Sequence, residues 1–137
     1  LQPAAPRPEP GAAVDAIAKQ IIDAALTVHR TLGPGLLESV YEQCLCFELA
    51  DRGLRFERQK ALALAYREFS IPNALRLDLV VEDAVVVEVK AVNTLLSLHR
   101  AQLLTYMRLS TLPLGLLINF NVPLLKDGIR RCVLSSM

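Results

Sequence analysis

The chain has too few cysteines for a disulfide framework and the wrong number for a four-ligand zinc site: Cys44, Cys46 and Cys132 are all it carries. Cys44 and Cys46, two apart on a predicted helix, point in different directions, so a reduced, cytoplasmic protein is the simplest reading. Aromatic residues are scarce at 5% against a hydrophobic share of 53%, so the core is expected to be aliphatic, built from Leu, Val, Ile and Ala. Charge of either sign is not in excess. A formal net charge of +1 gives no global field toward a polyanion, and any such binding has to come from local clusters such as Arg55, Arg58, Lys60 and Arg67. The same four residues read equally well as a solvated strand face. No uncharged apolar run of about 18 residues occurs, which argues against a transmembrane helix. The opening LQPAAPRPEPG lacks an initiator Met and is rich in Pro and Ala. Residues 1–12 are therefore expected to be a disordered tail or linker, or the remnant of a longer chain, with one domain over 13–137.

What is present is a change of period along the chain. From about Ala13 to Leu32, Ile17, Ile21, Ala24, Ala25 and Val28 recur at three and four, which predicts an amphipathic helix. Gly33-Pro34-Gly35 breaks it, and a second helix is expected from about Leu36 to Arg52, with Gly53 as its stop. Arg55–Gln59 and Ala61–Phe69 alternate as strands do, with Ile71-Pro72-Asn73 as the expected turn. Strands over Leu75–Val81 and Val85–Val89 follow. A third helix spans roughly Leu96–Leu109 and is ended by Thr111-Leu112-Pro113. Leu114–Phe120 reads as a buried strand, and Gly128–Leu134 as a short further one. This order predicts an α/β (α+β) fold, a central mixed β-sheet flanked by helices.

Charges interrupt two of these strands. Asp78 sits in one β-branched run, and Glu88 and Lys90 sit in the next with one residue between them. Burying an unpaired charge costs several kcal/mol, so carboxylates kept in such runs suggest a cation that cancels them. Glu88 and Lys90 share a strand face by parity. Asp78 can oppose Glu88 only if paired residue numbers sum to an even value. A two-residue turn at Glu82-Asp83 makes the sum odd, whereas a three-residue turn Glu82-Asp83-Ala84, or a bulge, makes it even. The longer turn or a bulge is predicted. In that register Asp78, Glu88 and the backbone carbonyl of Val89 offer oxygen ligands to a hard divalent cation, Mg²⁺ (or Mn²⁺), which would retain waters. Lys90 would orient or deprotonate an attacking water and offset phosphate charge, an electrostatic role being favoured because it needs no depressed pKa. An ion pair between Lys90 and a neighbouring carboxylate is the structural alternative.

Two helical groups add to this. His99, Gln102 and Tyr106 fall on one face of the third helix, apart from an apolar stripe of Leu96, Leu103 and Met107, and Gln102 and Tyr106 form an i, i+4 pair. Gln102 could donate to a phosphate or a metal-bound water, and Tyr106 could stack or donate, unless the pair is only a polar helix edge. Glu38 and Tyr41 lie one turn apart at the start of the second helix. Glu38 either complements the helix dipole or completes a metal site. A lone His29 reads as structural.

Gly35-Leu-Leu-Glu38-Ser-Val-Tyr41, then Asp78, then Glu88-Val-Lys90, then Gln102-Leu-Leu-Thr-Tyr106, together resemble the bacterial GxxExxY protein family of the PD-(D/E)xK nuclease superfamily. The resemblance covers roughly Ile17 to Leu134. It implies a restriction-endonuclease-like core with a Mg²⁺-dependent phosphodiesterase site. Asp78 and Glu88 would be metal ligands, Lys90 the catalytic lysine and Glu38 a carboxylate at or beside the metal. Gln102 and Tyr106 match the QxxxY element of RecB-like nucleases and, with Arg76, are candidates to contact nucleic acid. Leu77 stands where the family usually has proline before the aspartate. Three cysteines leave the four-cysteine iron–sulfur cluster of some RecB-like nucleases unsupported. The expected function is hydrolysis of DNA, ahead of RNA, by a metal-activated water. The alternative is a non-catalytic nuclease-fold module for nucleic-acid binding or assembly, and a homodimer or a partner protein is a further expectation.

Overall fold

The computed structural model describes residues 11–134. The expected N-terminal tail lies, up to residue 10, outside the described residues. Helix α1 (Ala12–Leu32) begins one residue ahead of its expected start and buries Ile21, Ala24, Ala25 and Val28, the stripe its period predicts. Helix α2 (Glu38–Asp51) starts two residues later than expected, because Leu37 is extended at φ −70°, ψ 147° and serves as its N-cap. Glu38 thereby becomes the first helical residue.

Strands β1 (Phe56–Tyr66) and β2 (Phe69–Val81) form one long antiparallel hairpin. This corrects two expectations. The stretches expected as two strands, Arg55–Gln59 and Ala61–Phe69, merge into the one strand β1, which ends at Tyr66, and the chain reverses at Arg67-Glu68, where Tyr66 pairs with Phe69 of β2. Ile71-Pro72-Asn73 is not the turn but lies within β2. Register shifts between the pairs Leu62–Leu75 and Leu64–Ile71, so Pro72, Asn73 and Ala74 bulge opposite Ala63. The bulge removes Pro72 from the ladder, which is how a strand tolerates it. Asn73, at φ 52°, absorbs the bend.

Strand β3 (Val85–Lys90) pairs antiparallel with β2 and parallel with β4 (Leu114–Asn119), the crossover being helix α3 (Ser97–Ser110). A short 3₁₀ turn, Leu125–Gly128, leads into β5 (Ile129–Val133), antiparallel to β4. The sheet order is β1-β2-β3-β4-β5, a mixed sheet with α1 and α2 on one face and α3 on the other. The predicted α+β architecture is the observed one.

Alternation sorts the sheet's side chains. Leu79, Val81, Val85, Val87, Val89, Leu114, Leu116 and Ile118 pack under α1 and α2. Val80, Val86 and Leu117 pack on the other face against Leu103 and Met107 of α3. At Gly115 a Cβ would stand 2.6 Å from the Met107 sulfur, so any side chain there would have to displace the ends of Met107 and Leu103 of α3. Leu96, expected in the apolar stripe of α3, is instead 56% exposed. It is the N-cap residue, ahead of the helix itself, whose buried positions are Leu103 and Met107. No helix among the described residues is long and apolar enough to cross a membrane.

Candidate metal and phosphodiester site

The β2–β3 register runs Val81–Val85, Val80–Val86, Leu79–Val87, each pair summing to an even number. The connection is therefore the three-residue Glu82-Asp83-Ala84, with Glu82 and Asp83 both left-handed at φ 53° and 50°. Extending that register by one step sets Asp78 opposite Glu88. At this step the ladder forks. The backbone N–H of Asp78 donates to Glu88 Oε1 at 3.3 Å, and the Val89 N–H donates to Asp78 Oδ2 at 2.9 Å. Each carboxylate is thus held by the other's strand. The Val89 N–H faces β2, and in a strand the carbonyl of the same residue points to the same side, toward the fork.

Electrostatics at the fork are severe. Glu88 is 5% exposed. Burial, then the charge and hydrogen bonding of Asp78, push its carboxyl up to about 9, against smaller downward pulls from the Asp78 backbone N–H and from Lys90. Lys90, half-buried on the same strand face, forms no direct ion pair with a described carboxylate, so the ion-pair alternative for it is not what the geometry shows. Its charge instead acts through space on Glu88 and on Glu38.

Helix α2 brings Glu38 to the same end of β3. Burial raises its carboxyl, with Asp78 and Glu42 adding to the rise, while Lys90 and the Ala91 backbone N–H pull it back. Tyr41 explains the rest of that motif structurally. Its ring stacks on Phe120 with centroids 4.6 Å apart. Its hydroxyl donates to the Gly33 carbonyl at 2.5 Å and accepts the Leu36 N–H at 3.1 Å. The tyrosine pins the Gly33-Pro34-Gly35 loop, and the loop sets where Glu38 begins the helix.

On the opposite side, Gln102 Nε2 donates to the Tyr106 hydroxyl at 2.7 Å, the i, i+4 pair expected from spacing. Burial first, then the negative charge of Glu88, raise the Tyr106 phenol, so α3 sets this pair close to the fork. His99 does not join them. Its Nδ1 accepts the Leu96 N–H at 2.9 Å and caps α3. His29 is bonded through Nε2 to the Val122 carbonyl at 2.7 Å, a structural role. Arg76 is exposed and reaches the Gln59 carbonyl at 3.4 Å.

Two neighbours were not expected. Glu42, one turn after Glu38 and buried, accepts from Arg58 Nε at 2.7 Å and from Gln59 Nε2 at 2.9 Å. Gln59 Nε2 also lies 3.5 Å from Asp78 Oδ1. The i, i+4 spacing of Glu38 and Glu42 could have signalled the first, but nothing in the sequence marks Gln59. The basic cluster expected as a nucleic-acid surface is largely committed: Arg55 pairs with Glu82, Arg58 with Glu42 and Lys60 with Glu57.

Among the described residues no three His, Cys, Asp or Glu side chains form a ready-made cage for a metal ion. The donor set still fits a hard divalent cation, which takes oxygen ligands and keeps several waters rather than demanding an all-protein cage. Two carboxylates meet at the fork, and burial together with the charge of Asp78 raises the Glu88 carboxyl, so a cation there would offset a repulsion already present.

A family profile described as the PD-(D/E)XK nuclease superfamily matches residues 15–132. Searches of curated proteins and of solved structures return no match. The mixed five-stranded sheet covered by helices on both faces is consistent with that match. Sequence match and architecture agree, and the chain belongs to the PD-(D/E)XK nuclease superfamily.

Proposed function

We propose that this domain is a divalent-metal-dependent nuclease that hydrolyses phosphodiester bonds of DNA, ahead of RNA, in the manner of the RecB-like GxxExxY proteins its motifs resemble. The observation that carries the reading is the opposition of Asp78 and Glu88 across the β2–β3 fork, with Lys90 on the same face. Asp78, Glu88 and the Val89 carbonyl would hold Mg²⁺ or Mn²⁺, with Glu38 beside them. The ion would supply water activation and charge neutralisation at phosphorus. Lys90, which pairs with no described carboxylate, is free to place its ammonium on a non-bridging phosphate oxygen or on the attacking water. The Tyr106 hydroxyl, already engaged by Gln102, stays a neutral donor because its phenol is raised, and it can bond a phosphate oxygen. Arg76, exposed on the β2 side, would guide the flanking backbone.

The test is incubation of purified protein with linear, circular and single-stranded DNA and with RNA, plus Mg²⁺ or Mn²⁺, beside Lys90→Ala. Cleavage lost in Lys90→Ala supports the reading, and equal cleavage in both points to contamination. No cleavage of any substrate combined with no Mn²⁺ binding would favour a non-catalytic assembly module. One observation speaks for that second reading: Tyr66, Phe69 and Ile71 stand 66%, 64% and 38% exposed at the tip of the β1–β2 hairpin.

A further inference from the structure

Gln59 occupies an unusual place. It lies inside β1 yet takes φ 54°, a conformation that side-chain-bearing residues seldom adopt. The β1–β2 pairs on either side of it, Arg58–Leu79 and Lys60–Leu77, are intact, but the intervening Gln59–Asp78 pair drops out of the ladder. The twist that removes it leaves the Asp78 N–H to reach Glu88 and turns the Gln59 amide toward two carboxylates. Gln59 Nε2 donates to Glu42 Oε1 and Oε2 at 2.9 and 3.2 Å and approaches Asp78 Oδ1 at 3.5 Å. Glu42 is itself fixed, 5% exposed and bound to Arg58 Nε at 2.7 Å.

We propose that Gln59 is a positioning residue, oriented by the Arg58–Glu42 pair, that holds the Asp78 carboxylate in place for the divalent ion. The role rests on the metal-site reading above. Asp78 Oδ2 is held by the Val89 N–H at 2.9 Å, and Gln59 supplies the donor on the side of Oδ1, so both oxygens of the ligand are restrained. A neutral amide suits the task. Arginine or lysine at this position would neutralise Asp78 and compete with the cation, whereas an amide orients the carboxylate and leaves its charge available. Glu42 in turn needs Arg58 because a buried carboxylate with only an amide donor would be poorly compensated.

Outer hydrogen-bond partners of metal ligands typically change metal affinity about 10–100-fold when removed. Calorimetric titration with Mn²⁺ of wild type, Gln59→Ala and Gln59→Gly is expected to show a loss of that order in both variants. Both leave the Arg58–Glu42 pair intact. Melting in chelator supplies the readout that separates positioning from folding, since glycine accepts φ 54° without strain and Gln59→Gly should melt within a few degrees of wild type. Wild-type affinity in both variants overturns the positioning role while the metal site stands. Affinity lost only in step with melting temperature overturns it as damage to the fold. A wild-type protein that binds no Mn²⁺ overturns the metal reading, and the positioning role with it.

Discussion

Glu88→Gln offers the sharpest test of whether the β2–β3 fork is built for a cation. In the metal-free protein the Glu88 carboxyl sits at about 9 instead of 4.5, so the folded state holds its proton where the unfolded chain has released it. A group whose folded-state pKa is raised contributes full stability below the unfolded value, and that contribution is lost as pH climbs toward the folded value. The affected window is therefore about pH 4.5 to 9, with stability falling across it. At about 1.36 kcal/mol per pH unit, the stretch from 4.5 to 7 costs the wild type about 3 kcal/mol. Glutamine resembles the protonated carboxyl in shape and cannot ionise, so the variant escapes this loss. Glu88→Gln should match wild type near pH 4.5 and exceed it by about 3 kcal/mol at pH 7. For a chain of this length that is a rise in melting temperature of roughly 10 °C.

Thermal melts of both proteins in chelator from pH 5 to 9 measure the difference, and other titrating groups cancel in the comparison. Parallel profiles would refute the argument, because they would mean Glu88 ionises as easily folded as unfolded. Adding Mn²⁺ supplies the second half. A site filled at 100 times its Kd stabilises by about 2.7 kcal/mol, close to the deficit, so saturating metal should largely close the gap at pH 7. The metal should leave Glu88→Gln nearly unmoved. A metal response of equal size in both proteins would show that the ion binds elsewhere.

Lys90→Ala should bind Mn²⁺ as wild type does in calorimetry and lose cleavage by at least about 100-fold, since the proposed role sets the lysine on phosphate or water and not on the ion. Tyr41→Phe keeps the stack on Phe120 but strands the Gly33 carbonyl and the Leu36 N–H, at a cost of about 1–3 kcal/mol in denaturant melts. Gly128→Ala drives a Cβ into the Asn119 carbonyl and should cost more than about 2 kcal/mol by the same measurement. Because the Asn119 side chain bonds both the N–H and the carbonyl of Val92, at 3.0 and 2.9 Å, Gly128→Ala should also lower Mn²⁺ affinity by loosening the segment after Lys90.

The elements the sequence announces are those where one physical rule dominates. The stripe of α1 and the buried run of β4 follow from burial alone, and parity decides the Glu82-Asp83-Ala84 connection because only an even register lets Asp78 face Glu88. The hairpin fails for the opposite reason. Ile71-Pro72-Asn73 carries the residue types of a turn, but the pairing of Leu62, Leu64, Leu75 and Ile71 outweighs them and turns the signal into a bulge. Arg67-Glu68 then has to reverse the chain without glycine, asparagine or proline. The candidate site divides in the same way. Asp78, Glu88, Lys90, Gln102 and Tyr106 stand out because polar groups interrupt apolar patterns at fixed spacing. Gln59 does not, since its importance arises from one positive φ and from the distance between two strands and a helix, neither of which a linear pattern encodes. Side chains proposed to meet the ion or phosphate bear a chemistry visible residue by residue. Those that aim them, such as Gln59, Glu42 and Tyr41, are ordinary residues whose work exists only after the fork between β2 and β3 has formed.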